Sequence, residues 1–166
     1  MVTHGKKTMK DKNESFQHHA AKQLFASWLR QTAEPAGDAW VDFCGIAWRV
    51  NRGAPHYGVM EEYPLTISQA TVWDEQDVFF MKNEWPTYEW VKRNSKEKFR
   101  IADIAIQHKG WITEIIEIVH KSDISDEKLD FYRHQAFHPA VYAIPAQWIM
   151  GQVTIPTVLP YNFKIL

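Results

Sequence analysis

The stretch that decides the fold is 100–120, RIADIAIQHKGWITEIIEIVH. Its first seven residues alternate aliphatic side chains with Ala and one acid, and residues 111–120 return to β-branched and aromatic residues after QHKG (107–110), which contains Gly. Two apolar runs rich in β-branched residues around a short Gly-containing break read as a β-hairpin. Each arm holds a carboxylate flanked on both sides by apolar residues, Asp103 in IADIAI and Glu117 in EIIEIV. A carboxylate in such a place is costly unless it is solvated, paired or bound to a metal. Side chains alternate along a strand, so Glu117 shares a face with Ile115, Val119 and Lys121, and the hairpin can set Asp103 and Glu117 across from each other. Two carboxylates that close repel, and a divalent cation holds both ionised. Mg²⁺, a hard ion that takes oxygen ligands and keeps waters, suits them. The plainer alternative is a half-exposed hairpin whose acids face water, as acids usually do.

Outward from the hairpin, SDISDEKLDFYRHQAF (122–137) reads as a helix capped by Ser125, with Lys128, Leu129, Tyr132 and Ala136 on one side. PAVYAIP (139–145) and QWIMG (147–151) offer one or two closing strands, and the last fifteen residues extend irregularly. Upstream, Phe16, Ala20, Leu24, Phe25, Trp28 and Leu29 recur at helical spacing, giving an amphipathic helix from Glu14 to about Gln31 with Asn13 as its N-cap. AWVDFCGIAWRV (39–50) is expected as one strand bulged at Gly45, NRGAPH (51–56) as a turn, and YGVMEEYPLTI (57–67) as an edge strand because of Pro64. DVFF reads as a short strand and PTYEWVKRN (86–94) as a helix starting with Pro. Strands in succession, then a helix, then a strand imply an α+β domain with a mixed central sheet flanked by helices. Residues 14–166 form one such domain behind a flexible basic tail, 1–13, a size ordinary for a single domain of ~100–150 residues.

Composition sets limits on function. The 166 residues are 45% hydrophobic and 23% charged, ordinary for a globular protein, and their eight Trp, nine Phe and six Tyr make an aromatic core. No apolar run reaches the ~20 residues that span a bilayer, and the polar N-terminus lacks a signal's apolar region. The single Cys44 forms no internal disulfide, which fits a reducing, cytoplasmic setting. The scattered histidines lack paired zinc-ligand spacing, and no Ser–His–acid set or Gly-rich phosphate loop competes for a role. A net charge of −1 is mildly against phosphate binding, yet Lys92, Arg93, Lys96, Lys98 and Arg100 cluster within KRNSKEKFR (92–100). That cluster is either a nucleic-acid contact or a solvated loop. Glu14, His18 and Lys22 form a polar stripe at i, i+4 and i+8 on the first helix, either approaching the acids or salt-bridged at the surface.

These pieces together resemble the PD-(D/E)XK nucleases, whose pattern is an Asp on one strand of a hairpin and E-x-K on the next. More narrowly the chain is similar to the CoiA-like competence nucleases. Their helix E-S-x-x-H-x-x-x-K-x-x-L-x-x-W-L resembles Glu14, Ser15, His18, Lys22, Leu24 and Trp28–Leu29, with a one-residue slip between lysine and leucine. Their E-x-x-L strand resembles Glu62 to Leu65. Their R-x-D strand resembles Arg100 to Asp103, one residue longer here, and their Ile-Glu strand resembles Ile116-Glu117 through to Ser122. The likeness covers about residues 14–150. It implies a restriction-endonuclease-like fold and a metal-dependent nuclease that hydrolyses phosphodiester bonds, in DNA above all. Asp103, Glu117 and the Ile118 carbonyl would hold Mg²⁺ or Mn²⁺, with Glu62 as a further acidic contact. At the lysine position of E-x-K stands Val119. Lys121, in the same strand register, is the first candidate to replace that lysine, and Lys128 the second. Should neither reach the metal, the alternative is an inert nuclease-fold module that binds nucleic acid or a protein partner. A homodimer is left open.

Overall fold

In the computed structural model the described residues are 9–33, 40–49, 58–66, 99–108, 111–120, 124–135 and 138–166. The expected strand DVFF, the helix over 86–94, the turn over 51–56, Lys92, Arg93, Lys96, Lys98 and Lys121 lie outside them. The elements in chain order are α1 (Met9–Ala33), β1 (Trp40–Phe43), β2 (Ile46–Arg49), β3 (Val59–Thr66), β4 (Phe99–His108), β5 (Trp111–Val119), α2 (Asp126–Arg133), β6 (Ala140–Pro145) and α3 (Ala146–Met150). A 3-10 turn, Tyr161–Phe163, follows.

Four strands form a mixed sheet in the order β3-β4-β5-β6. β3, β4 and β5 run antiparallel, and β6 returns parallel to β5, so α2 is the crossover a parallel pair needs. The architecture is α+β. Alternation along the strands divides the core in two. Ile104, Ile106, Ile116 and Ile118 belong to one cluster with Phe25, Trp28 and Leu29 of α1 and Trp48 of β2. Met60, Ala105 and Ile115 belong to the other, with Phe131 and Tyr132 of α2. Each fully buried aliphatic or aromatic side chain contributes about 1.5–3 kcal/mol, so these two layers outweigh the polar contacts between them.

Pro64 sits in β3, an edge of the sheet, opposite Ile101. At the other edge the chain end lies against β6, Ile165 N–H donating to Val141 O at 2.8 Å and Val141 N–H to Leu166 O at 3.1 Å. Ser125 caps α2 as expected, accepting from the Lys128 amide at 3.2 Å.

Three expectations are corrected. The stretch 39–50 is two strands, paired from Trp40↔Arg49 to Phe43↔Ile46. Cys44 and Gly45, at φ 55 and 88, make the two-residue turn, both in the left-handed region that type I′ hairpin turns use. Asp42 fixes it by accepting the Gly45 amide at 3.0 Å. The first helix begins at Met9, so Asn13 lies within it rather than at its N-terminal boundary, and 9–13 are helical rather than tail. QWIM is a helical turn ending at Gly151, not a strand, because a four-residue apolar run carries no period to separate the two. Among the described residues no helix is long and apolar enough to cross a membrane.

Candidate active site

The β4–β5 ladder runs from His108↔Trp111, through a bulge between Ile106 and Gln107, to Ile104↔Ile116. One step further in that register stand Asp103 and Glu117. Here a side chain enters the pairing, for the Ile118 amide donates to Asp103 Oδ2 at 2.8 Å. Asp103 and Glu117 lie close enough there to perturb each other's titration.

Two neighbouring carboxyl groups largely out of water raise the cost of both being charged, so their proton affinities split. Burial, then the neighbouring charge of Asp103, pushes Glu117 well above the ordinary carboxylate range, with the Lys128 ammonium opposing. Burial pushes Asp103 up too, but the hydrogen bonds from His18 and Glu117, the His18 charge and the Ile118 amide reverse it and hold Asp103 below its usual value. Of the two, Glu117 is the acid whose proton is held more tightly.

His18 reaches this gap from α1. Its Nε2 lies 3.2 Å from Asp103 Oδ2 and 2.9 Å from Ile118 O. A carbonyl oxygen only accepts, so Nε2 carries the hydrogen. The Asp103 bond raises the His18 pKa, with burial opposing. An N–H thus stands between two of the three oxygens that the sequence resemblance assigns to a metal. Lys22, one turn along α1 and buried, pairs with Glu62 Oε1 at 2.6 Å. Glu62 falls opposite Asp103, between the pairs Glu61↔Ile104 and Tyr63↔Ala102. Its positive φ of 50 turns it out of the ladder, and its side chain remains two-thirds exposed (66%). The recorded partner of Glu62 is Lys22, not the Asp103–Glu117 pair. The Glu14 side chain lies outside the described residues.

From the opposite side of the sheet, α2 addresses Glu117. Lys128 Nζ lies 2.7 Å from Glu117 Oε1, and the Tyr132 hydroxyl donates to the same oxygen. Residues four apart share a helix face, so one turn of α2 supplies both donors. Arg100 ties that helix to β4, pairing with Glu127 and lying 5.8 Å from the centre of the Phe131 ring. Its guanidinium, expected at a phosphate, is paired with Glu127 at the surface. Lys128 is thus the described lysine that meets the acids.

His18, Asp103, Glu117, Val119, His120, Ile124 and Lys128 line one open pocket of about 290 Å³. The oxygens of Asp103, Glu117 and Ile118 are a hard donor set of the kind Mg²⁺ and Mn²⁺ take, with waters completing the shell. No group of three or more His, Cys, Asp or Glu side chains arranged around a metal position occurs among the described residues. Tyr132 and His120 are the site residues the sequence did not single out. The signal for Tyr132 was its place four residues after Lys128 on the apolar side of α2, where a buried phenol needs a polar partner. No family model matches this chain, and no curated protein or solved structure matches it either.

Proposed function

We propose that the protein is a divalent-metal-dependent nuclease that hydrolyses phosphodiester bonds in DNA, acting at the open end of the β4–β5 hairpin in a cytoplasmic setting. The observation that carries the reading is the meeting of Asp103, Glu117 and Lys128 where the backbone pairing gives way to a side chain. Asp103, Glu117 and the Ile118 carbonyl would hold Mg²⁺ or Mn²⁺. Bound there, the ion would polarise a phosphoryl oxygen and lower the pKa of a water. With the ion there, the proton held by Glu117 would pass to solvent through the open pocket, and His18 would leave the two oxygens it bridges, freeing its N–H to meet the substrate. Lys128, whose side chain is 27% exposed on the pocket side, brings a positive charge to the phosphate as negative charge develops. It does from a helix what E-x-K does from a strand, which accounts for Val119.

Val119 also favours a second reading, an inert module that binds nucleic acid without cutting it. Supercoiled plasmid and single-stranded DNA incubated with the purified protein in Mg²⁺, Mn²⁺ or chelator separate the two. The nuclease reading expects cleavage in either metal and none in chelator. Retarded but intact DNA under every condition would leave the module.

A further inference from the structure

The two donors on Glu117 Oε1 differ in kind. Lys128 is a flexible chain at the pocket wall, partly open to solvent. Tyr132 is fully buried, its ring 6.1 Å from that of Phe131 in an edge-on contact. Glu117 itself is 3% exposed, so solvent is a poor replacement for a donor that leaves. If Lys128 alone served Oε1, its move to a substrate phosphate would strand a buried carboxylate oxygen, a costly state. The phenol removes that conflict. Both donors approach from α2, which leaves the second oxygen of Glu117 for the Asp103 side.

We infer that Tyr132 is a positioning residue that keeps Oε1 of Glu117 satisfied and turned toward α2, so that Lys128 can leave for the phosphate and the other carboxylate oxygen stays directed at the cation. The inference rests on the nuclease reading. It deepens that reading by assigning the two donors of one oxygen different roles: a fixed one and a mobile one.

Tyr132→Phe in the full-length chain is the test, since it removes the donor and keeps the ring. Three quantities are measured: Mn²⁺ affinity by isothermal titration, melting temperature without metal, and kcat and KM on DNA at saturating Mn²⁺. Partners that orient a metal ligand are commonly worth about 10–100-fold in affinity or activity. Tyr132→Phe should weaken Mn²⁺ binding by that factor and lower kcat even at saturating metal. KM and the metal-free melting temperature should stay close to wild type. Tyr132→Leu, which also lacks the donor, should show the same weakening and serves if the first variant folds poorly. Unchanged Mn²⁺ affinity and kcat would overturn the inference. So would a fall in metal-free melting temperature with no loss of affinity, which would make Tyr132 a packing residue only. A wild type that binds no Mn²⁺ would sink the nuclease reading and this inference with it. Binding by wild type and Tyr132→Phe alike would sink the inference alone.

Discussion

At the turn end of the β4–β5 hairpin, Gln107 pairs with Ile112 and His108 with Trp111; at the far end the ladder stops at Ile104↔Ile116, and a carboxylate receives the next amide. The same two strands thus hold a closed end built on backbone bonds and an open end built on side chains. The closed end is stabilised by what its residues bury, Ile112 and Ile115 among them. The open end is tolerated because each carboxyl group there has two donors on one oxygen: His18 and the Ile118 amide on Asp103 Oδ2, Lys128 and Tyr132 on Glu117 Oε1. A sheet opens for chemistry where a side chain can take over a backbone bond without leaving a buried polar group unpaired.

The difference should show most sharply in paired substitutions. Ile112→Ala, at the closed end, should destabilise the fold by about 2–5 kcal/mol, as truncating a buried aliphatic does. Its metal response should survive. Asp103→Ala should abolish the response instead. Saturating Mn²⁺ at a hundred times its Kd stabilises the wild type by about 2.7 kcal/mol, and melting curves with and without the ion would show that rise missing in Asp103→Ala. A rise kept by Asp103→Ala would erase the distinction between the two ends.

A smaller effect tests which amine serves the open end. Lys128→Ala should lower metal-dependent cleavage by about 10²–10³-fold, the scale of losing one preorganised charge at a transition state, while the Mn²⁺-induced rise in melting temperature persists. Lys121→Ala, in the same assay, should stay near wild type. The reverse pattern would return the role to the strand position that sequence register favours.

Smaller still is a pH effect that sets the buried acids apart. Burial, opposed by Lys164, raises Glu114 from its ordinary value of 4.5 to about 7. Glu117 is raised as well, by burial and by Asp103. A raised acid holds its proton more tightly folded than unfolded. Its contribution is complete below the ordinary glutamate range and is lost as pH rises through the folded value. The metal-free protein should therefore melt a few degrees lower at about pH 8 than at about pH 5. Glu114→Gln should flatten part of that slope and Glu117→Gln another part. Asp103 has the opposite sign, and its contribution goes only as pH falls below the ordinary aspartate range. Melting curves across that range with no slope in wild type would contradict the proton placement.

Much of this was legible in the chain. The hairpin over 100–120 showed because its alternation is long and broken at single acids, and Ser125 announced α2 through the turn it caps. His18 and Lys22 were visible as a polar stripe on α1, but not what they touch, since pairing over 85 and 40 residues leaves no local trace. Cys44-Gly45 hid inside an unbroken aromatic and β-branched run, so two strands read as one. Lys128 ranked behind Lys121 because strand register can be counted along a sequence, whereas the distance from a crossover helix to the strand beneath it depends on packing. Tyr132 looked like core and is core, with a hydroxyl whose partner only the fold reveals.

The most direct test is a crystal soaked in Mn²⁺ and measured at the manganese absorption edge. The account expects one anomalous peak about 2 Å from oxygens of Asp103, Glu117 and Ile118, with His18 Nε2 withdrawn from the Ile118 carbonyl and the Tyr132 hydroxyl still on Glu117. A peak elsewhere, or none while His18 keeps both of its contacts, would contradict it.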